Sequence, residues 1–213
     1  MKPVRTLVLA TTLLALCAVM SSAQVLVPGS ALIAHVEGRV YLDKQRVEPS
    51  STPLYILNPN SVLRTEEGQA EIRLAGGVSV FLGENTAVKR VPSSTYNFSR
   101  FEMLSGSVVV TTGEMGSVAT CSNEVTLSDF GLYRFDVIPL PGLPTSEKLC
   151  GLKVYEGAAA VKLATVVSVL TPGKFISLNL ACGDRTPLQK FDIEHTDALD
   201  DWSRQRIRLR RSQ

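Results

Sequence analysis

Residues 62 to 88 read VLRTEEGQAEIRLAGGVSVFLGENTAV, and the alternation within them decides the fold class. Ala70, Ile72 and Leu74 place apolar side chains on one face of a strand, and Val78, Val80 and Leu82 do the same on the strand that returns. Between them, Ala75-Gly76-Gly77 supplies the positive backbone angles that a tight hairpin turn needs. Glu71 and Arg73 fall on the opposite face, where their charge predicts solvent, and the residues before Ala70 read as a polar loop. The stretch encodes a hairpin and not an active site.

Period two continues along the chain. Val36, Val40 and Leu42 alternate about Gly38, and further strands are expected at 98–103, 107–111, 117–120, 124–127, 132–137, 152–155, 158–163, 166–170 and 175–180. No helix-period segment separates them, so the expected fold class is all-β, with short strands in stacked sheets or a β-roll or solenoid-like arrangement. Three segments share a pattern: VEGRVYL at 36–42, LSGSVVV at 104–110 and YEGAAAV at 155–161 each set a glycine before an apolar run. Their unequal spacing excludes a solenoid of fixed period. We read each glycine as a sharp bend where a strand turns the corner of a sheet.

The two ends have a different character. Lys2 and Arg5 precede an apolar run from Leu7 to Met20, and Ser21 and Ala23 are small residues at the −3 and −1 positions of a cleavage site. This is the pattern of a secretory signal peptide over 1–23, cleaved after Ala23, which predicts a periplasmic or secreted protein. Leu16 before Cys17 argues against a lipoprotein site. Residues 24–34 then read as an N-terminal leader, 35–182 as the β domain and 183–213 as a linker and a charged helix. Loss of Lys2 and Arg5 brings the 22 basic residues level with the 20 acidic ones, a balance that argues against nucleic acid as a partner. The apolar run at 164–170 stops at Thr171-Pro172-Gly173, too short to span a bilayer.

Export makes cystine the expected state of some thiols. Cys121, Cys150 and Cys182 follow the signal segment; Cys121 with Cys150 is the favoured pair, with Cys150–Cys182 and three reduced thiols as the alternatives. No Cys-x-x-Cys occurs, and His35 lies far from His195, so neither a metal site nor a cofactor is expected. There is no Gly-x-Ser-x-Gly elbow, and Glu66-Glu67 and Asp200-Asp201 read as solvated neighbours, so the chain is expected not to be an enzyme. PLPGLP at 139–144 reads as an extended loop, and Tyr96, Phe98 and Phe101 as core or as an aromatic surface.

The C-terminal segment reads as an α-helix. Thr196 is placed to cap it, Asp197, Asp200 and Asp201 lie in its first turns, and Arg204, Arg206, Arg208, Arg210 and Arg211 fill its last turns, the order the helix dipole favours. Asp200 and Arg204 have the i,i+4 spacing of a surface ion pair. Leu199, Trp202 and Leu209 share a face that suggests docking on the β domain. Trp202 and the five arginines are the candidate partner contacts, toward a cell-envelope protein or a polysaccharide.

Several segments in order resemble the FecR domain of bacterial envelope proteins. They are Leu63-Arg64-Thr65, Gly68, Ala70-Glu71-Ile72-x-Leu74, Gly77, Val80, Asn85-Thr86, Leu104-x-Gly106-x-Val108 and Val154-Tyr155-Glu156-Gly157. The resemblance covers roughly 36–180 and implies a β-rich periplasmic module. Founding members of that family are inner-membrane regulators that act on a sigma factor and respond to an outer-membrane iron transporter. Here a cleavable signal stands where their cytoplasmic region and span would be, so the chain is more similar to stand-alone exported proteins with a FecR domain. The resemblance thus leaves two expectations: a non-enzymatic binder of another envelope component, or a periplasmic sensor working with a separate membrane partner in metal or stress signalling.

Overall fold

The computed structural model describes residues 31–49, 55–74, 77–92, 99–113, 116–120, 123–128, 130–139, 148–163, 166–178 and 188–211. The signal-like segment, Cys121, Cys182, Tyr96, Phe98 and the Pro-rich run after Pro139 lie outside them. In chain order the strands are β1 Ala31–Leu42, β2 Gln45–Val47, β3 Tyr55–Ile56, β4 Val62–Leu74, β5 Ser79–Leu82, β6 Ala87–Arg90, β7 Ser99–Thr112, β8 Gly116–Thr120, β9 Asn123–Leu127, β10 Gly131–Pro139, β11 Lys148–Glu156, β12 Ala159–Leu163, β13 Val166–Leu170, β14 Lys174–Ser177 and β15 Gln189–Lys190. A helix, α1, spans Ala198–Arg211.

Long strands cross between two stacked layers. The first half of β1 and the second half of β4 pair in one layer, continuing through β5, the second half of β7, β10, β11, β14 and β15. The second half of β1 and the first half of β4 pair in the other, which continues through β6, the first half of β7, then β8, β9, β12 and β13. Through β7, which borders β5 and β10 at one end and β6 and β8 at the other, the layers join in a barrel-like closure. All contacts between successive neighbours are antiparallel except β7 with β8. Inward residues of both layers merge in one core: Ile72, Val80, Val108, Phe135 and Leu152 from the first, Leu63, Val88, Met103, Val125 and Val161 from the second.

The expected hairpin is present, with Ile72 opposite Val80 and Ala70 opposite Leu82. The polar loop expected before Ala70 is instead the first half of β4, because Thr65 faces the core and Gly68 lets the strand carry on round the corner. Likewise 98–103 and 107–111 belong to one strand, β7, and residues 31–34 already pair within β1.

The glycines of the three similar segments sit at these corners. Gly38, Gly106 and Gly157 have φ of 70°, 85° and 81°. Gly38 faces Gly68 across the β1–β4 ladder, and a Cβ on Gly38 would lie 2.8 Å from the Gly68 Cα, so the two strands can turn together only without side chains there. The corner is stitched by buried threonines. Thr65 Oγ1 donates to Gly83 O at 2.5 Å and accepts from Thr86 N at 3.0 Å, and Thr86 Oγ1 accepts from Ser107 N at 3.0 Å. These bonds satisfy backbone groups that leave the ladder where strands change layer.

Cys150 is buried and disulfide-bonded, while both candidate partners lie outside the described residues. Peptide mapping without reduction is expected to recover Cys150 joined to Cys121; recovery with Cys182 selects the alternative pair. Gly106→Ala is expected to cost about 3 kcal/mol or more in urea unfolding, because it adds a clash to the left-handed penalty. Its Cβ would meet Thr86 Cα at 2.5 Å and Asn85 O at 2.7 Å. Gly173→Ala, also at positive φ but with its nearest neighbour 3.6 Å away, is expected to cost only about 1 kcal/mol.

Candidate functional site

The first layer is covered on both faces. Its outward side chains Phe81, Val109, Leu132 and Tyr155 form a second apolar cluster with Leu199 of α1, and Phe191, Ile193, Trp202 and Ile207 pack against it. Glu71 therefore does not meet solvent as its charge suggested: it is 1% exposed, beneath the helix. Arg73 Nε donates to its Oε1 at 2.7 Å, and Arg206 donates to its Oε2 through Nε at 3.1 Å and Nη2 at 2.9 Å. Burial by itself would raise the Glu71 pKa, but these hydrogen bonds and charges outweigh it and hold the carboxyl below the ordinary range.

The helix begins differently from the expected cap. Asp197, not Thr196, is the N-cap: its Oδ1 accepts from Leu199 N at 3.0 Å and Asp200 N at 3.1 Å. Asp200 Oδ2 accepts from Asp197 N at 3.3 Å, which closes a capping box with an aspartate in the third helical position. That same oxygen accepts from Arg134 Nη1 at 2.9 Å and Tyr155 OH at 3.1 Å. Asp200 thus anchors the helix to β10 and β11 and does not pair with Arg204, because its side chain points into the sheet. Arg134 Nη1 also lies 2.7 Å from Asp197 Oδ2, and its Nε donates to Asp136 at 3.0 Å. Burial acts to lower the Arg134 pKa, but the charges of Asp136 and Asp200 prevail and raise it. Burial first, then the Asp200 charge, pushes the Tyr155 phenol up, so it stays a neutral donor.

Of the candidate contact residues, some turn inward and some do not. Trp202 meets Phe81 edge to face at 5.9 Å and donates from Nε1 to Glu37 at 3.1 Å. Arg206 holds Glu71, Arg210 donates to the Ser79 hydroxyl, and Arg204 lies over the Tyr155 ring at 5.5 Å. Leu209 is exposed, and Ile207 takes the docking place expected for it. Arg208 is exposed, and the side chain of Arg211 lies outside the described residues.

Beside the second half of α1 a cleft of about 560 Å³ opens over the ends of β7, β10 and β11. Arg204, Arg208 and Arg210 line it together with Glu156 and Glu194, over Leu132, Tyr155, Ile193 and Ile207. At its rim Phe130 is 80% exposed and has φ of 53°, a conformation that a bulky residue rarely adopts. In its lining the buried Thr111 Oγ1 has no hydrogen-bond partner among the described residues. Sequence reading missed Arg134, Tyr155, Phe130 and Thr111, since single residues in ordinary strands carry no local signal of a helix lying far along the chain. The second layer also offers a surface: β13 pairs only with β12 among the described residues, and its outward Val167 and Val169 are 61% and 60% exposed.

Two crystal structures of a "putative anti-sigma factor" from Parabacteroides distasonis are similar to part of this chain at 17% sequence identity. One has a TM-score of 0.50 over 62% of this chain and 61% of the neighbour, the other 0.49 over 62% and 59%. This chain therefore spans about three fifths of the neighbours' length. No family model matches the sequence, and no curated protein matches it.

Acid is expected to loosen α1. Glu71 and Asp197 have folded pKa values below their ordinary ones, so the stability they contribute is complete above the unfolded-state values and is lost as the pH falls through the folded ones. Trp202, the sole tryptophan, should report this as an emission shift to the red below about pH 4, reduced in Glu71→Gln. At neutral pH Arg206→Met is expected to cost about 3 kcal/mol and Glu71→Gln about 1 kcal/mol, because the first leaves a buried charge half-paired whereas the second leaves arginines that reach water.

Proposed function

We propose that the chain is an exported, non-enzymatic β module that binds another component of the bacterial envelope, with a protein strand added to the outer edge of β13. The observation that carries this is the outer edge of β13, which has no strand partner among the described residues. Val166–Leu170 holds no lysine or proline, the devices that ordinarily protect a sheet edge, and it exposes Val167 and Val169 on one face. An extended partner segment can satisfy the edge backbone groups while its alternate side chains meet those valines. The non-catalytic part of the reading rests on the sequence, which carries neither a Gly-x-Ser-x-Gly elbow nor a Cys-x-x-Cys pair. Export rests on the signal-like segment at 1–23.

A regulatory reading is supported by the fold likeness to the Parabacteroides structure with a TM-score of 0.50, together with the FecR-like residues. In that version the module senses or relays binding to a separate membrane protein in metal or stress signalling. Adjacent genes for a sigma factor and an outer-membrane transporter, with copurification of the transporter, would favour it; copurification of neither product would leave the binding role alone.

The edge is tested by Val167→Lys with Val169→Lys. Both side chains are mostly exposed, so thermal stability should change by no more than about 0.5 kcal/mol. Recovery of a crosslinked envelope protein should fall at least about tenfold. Undiminished recovery by the folded double variant would remove the β13 edge from the interface.

A further inference from the structure

We propose that the cleft beside α1 is a second binding site, which takes an acidic peptide segment carrying an apolar anchor residue. This deepens the binding role above and rests on that reading, but it concerns a different surface: the cleft opens on the helix-covered layer, whereas β13 belongs to the other.

The chemistry of the walls selects the ligand. Arg204 and Arg208 stand on consecutive turns of α1 along the cleft, and Arg210, bonded to Ser79, lines it as well. Guanidinium groups held in place in a concave site recognise carboxylates through paired donors. Beneath them Leu132 and Ile207 form an apolar floor that suits a leucine or an aromatic ring. A volume of about 560 Å³ lies within the range of small-ligand pockets and accommodates a few side chains of an extended segment.

Two further features lie at the same place. Thr111, which also lines the cleft, keeps its hydroxyl buried without a hydrogen-bond partner among the described residues. Phe130 is held at a left-handed backbone angle, which costs stability, with its ring largely in solvent. Over an occupied cleft the ring would close on the anchor residue. Glu156 and Glu194 also border the cleft and argue against an extended polyanion, since they would repel a uniform row of charges. A peptide with carboxylates at particular positions and an apolar residue between them matches both the arginines and the floor.

The experiment uses fluorescence anisotropy with the purified chain and a labelled peptide, acetyl-Glu-Glu-Leu-Phe-Glu-Glu-amide. Saturable binding is expected, weakened at least about tenfold by Arg208→Glu and by Phe130→Gly. Phe130→Gly should meanwhile leave the melting temperature unchanged or raise it, because glycine relieves the backbone strain; a merely structural phenylalanine would lower it. The lysine version of the peptide should bind at least about tenfold more weakly. Absence of saturable binding up to millimolar peptide, or equal binding by both variants, would overturn the site. Tighter binding of polygalacturonate or of phosphatidylglycerol vesicles, lost in the same variants, would overturn the peptide assignment. The β13 double variant separates this proposal from the previous one: it should keep full affinity for the peptide. Loss of envelope capture in that variant, with no peptide binding by the unaltered chain, would sink the cleft and leave the edge standing.

Discussion

The close approach of Gly38 and Gly68 is the constraint on which the body of this protein depends. At that point β1 and β4 turn together from one layer into the other, and each glycine stands where a Cβ would strike the partner strand's backbone. A strand that bends this sharply loses ladder hydrogen bonds, and an unpaired backbone group in the interior costs about as much as the bond would have contributed. Alongside this corner, where β5, β6 and β7 turn, the fully buried Thr65 and Thr86 bond backbone groups of Gly83, Thr86 and Ser107. A similar arrangement recurs where β9 leads to β10 and β11 to β12. There Tyr133 OH lies 3.0 Å from both Ser128 Oγ and Ala158 O. Both layers can then face one apolar core while the chain passes repeatedly between them.

Helix α1 belongs to this body through charge more than through apolar area. Its sequence is rich in arginine and aspartate, and only a few of its side chains enter the second cluster. Asp200 with Arg134 and Tyr155 fixes its first turn, and Arg206 with Glu71 fixes its middle. Buried ion pairs add little net stability relative to apolar packing, but breaking one is costly, and their geometry allows one register of the helix on the sheet. In that register Arg204, Arg208 and Arg210 line the cleft.

The candidate site was only partly legible in the sequence. The arginine series of the tail and Trp202 stood out as a helix with an apolar side, yet their partners did not. Glu71 looks the same in a strand pattern whether it meets water or Arg206, which follows it by 135 residues. Phe130 is an unremarkable residue until its backbone angle is known, and Thr111 reads as one more outward strand position until the helix closes over its side of the sheet. Asp197 and Thr196 are equally acceptable caps by type, and the entry path of the chain decided between them.

Alternation by itself determined that the chain makes β-strands, which faces of them turn to the core, and, through Gly38, Gly106 and Gly157, where three of the bends fall. These features are local: side chains on a strand change face at every residue, and a left-handed backbone angle favours glycine wherever it occurs. Only the tertiary structure decided that α1 covers the outer face of one layer, that Glu71 is buried, and that β13 has β12 as its one strand partner among the described residues. Those outcomes depend on contacts between segments far apart along the chain, where a charged residue's neighbours, and so its surroundings, are set by the path of the whole backbone.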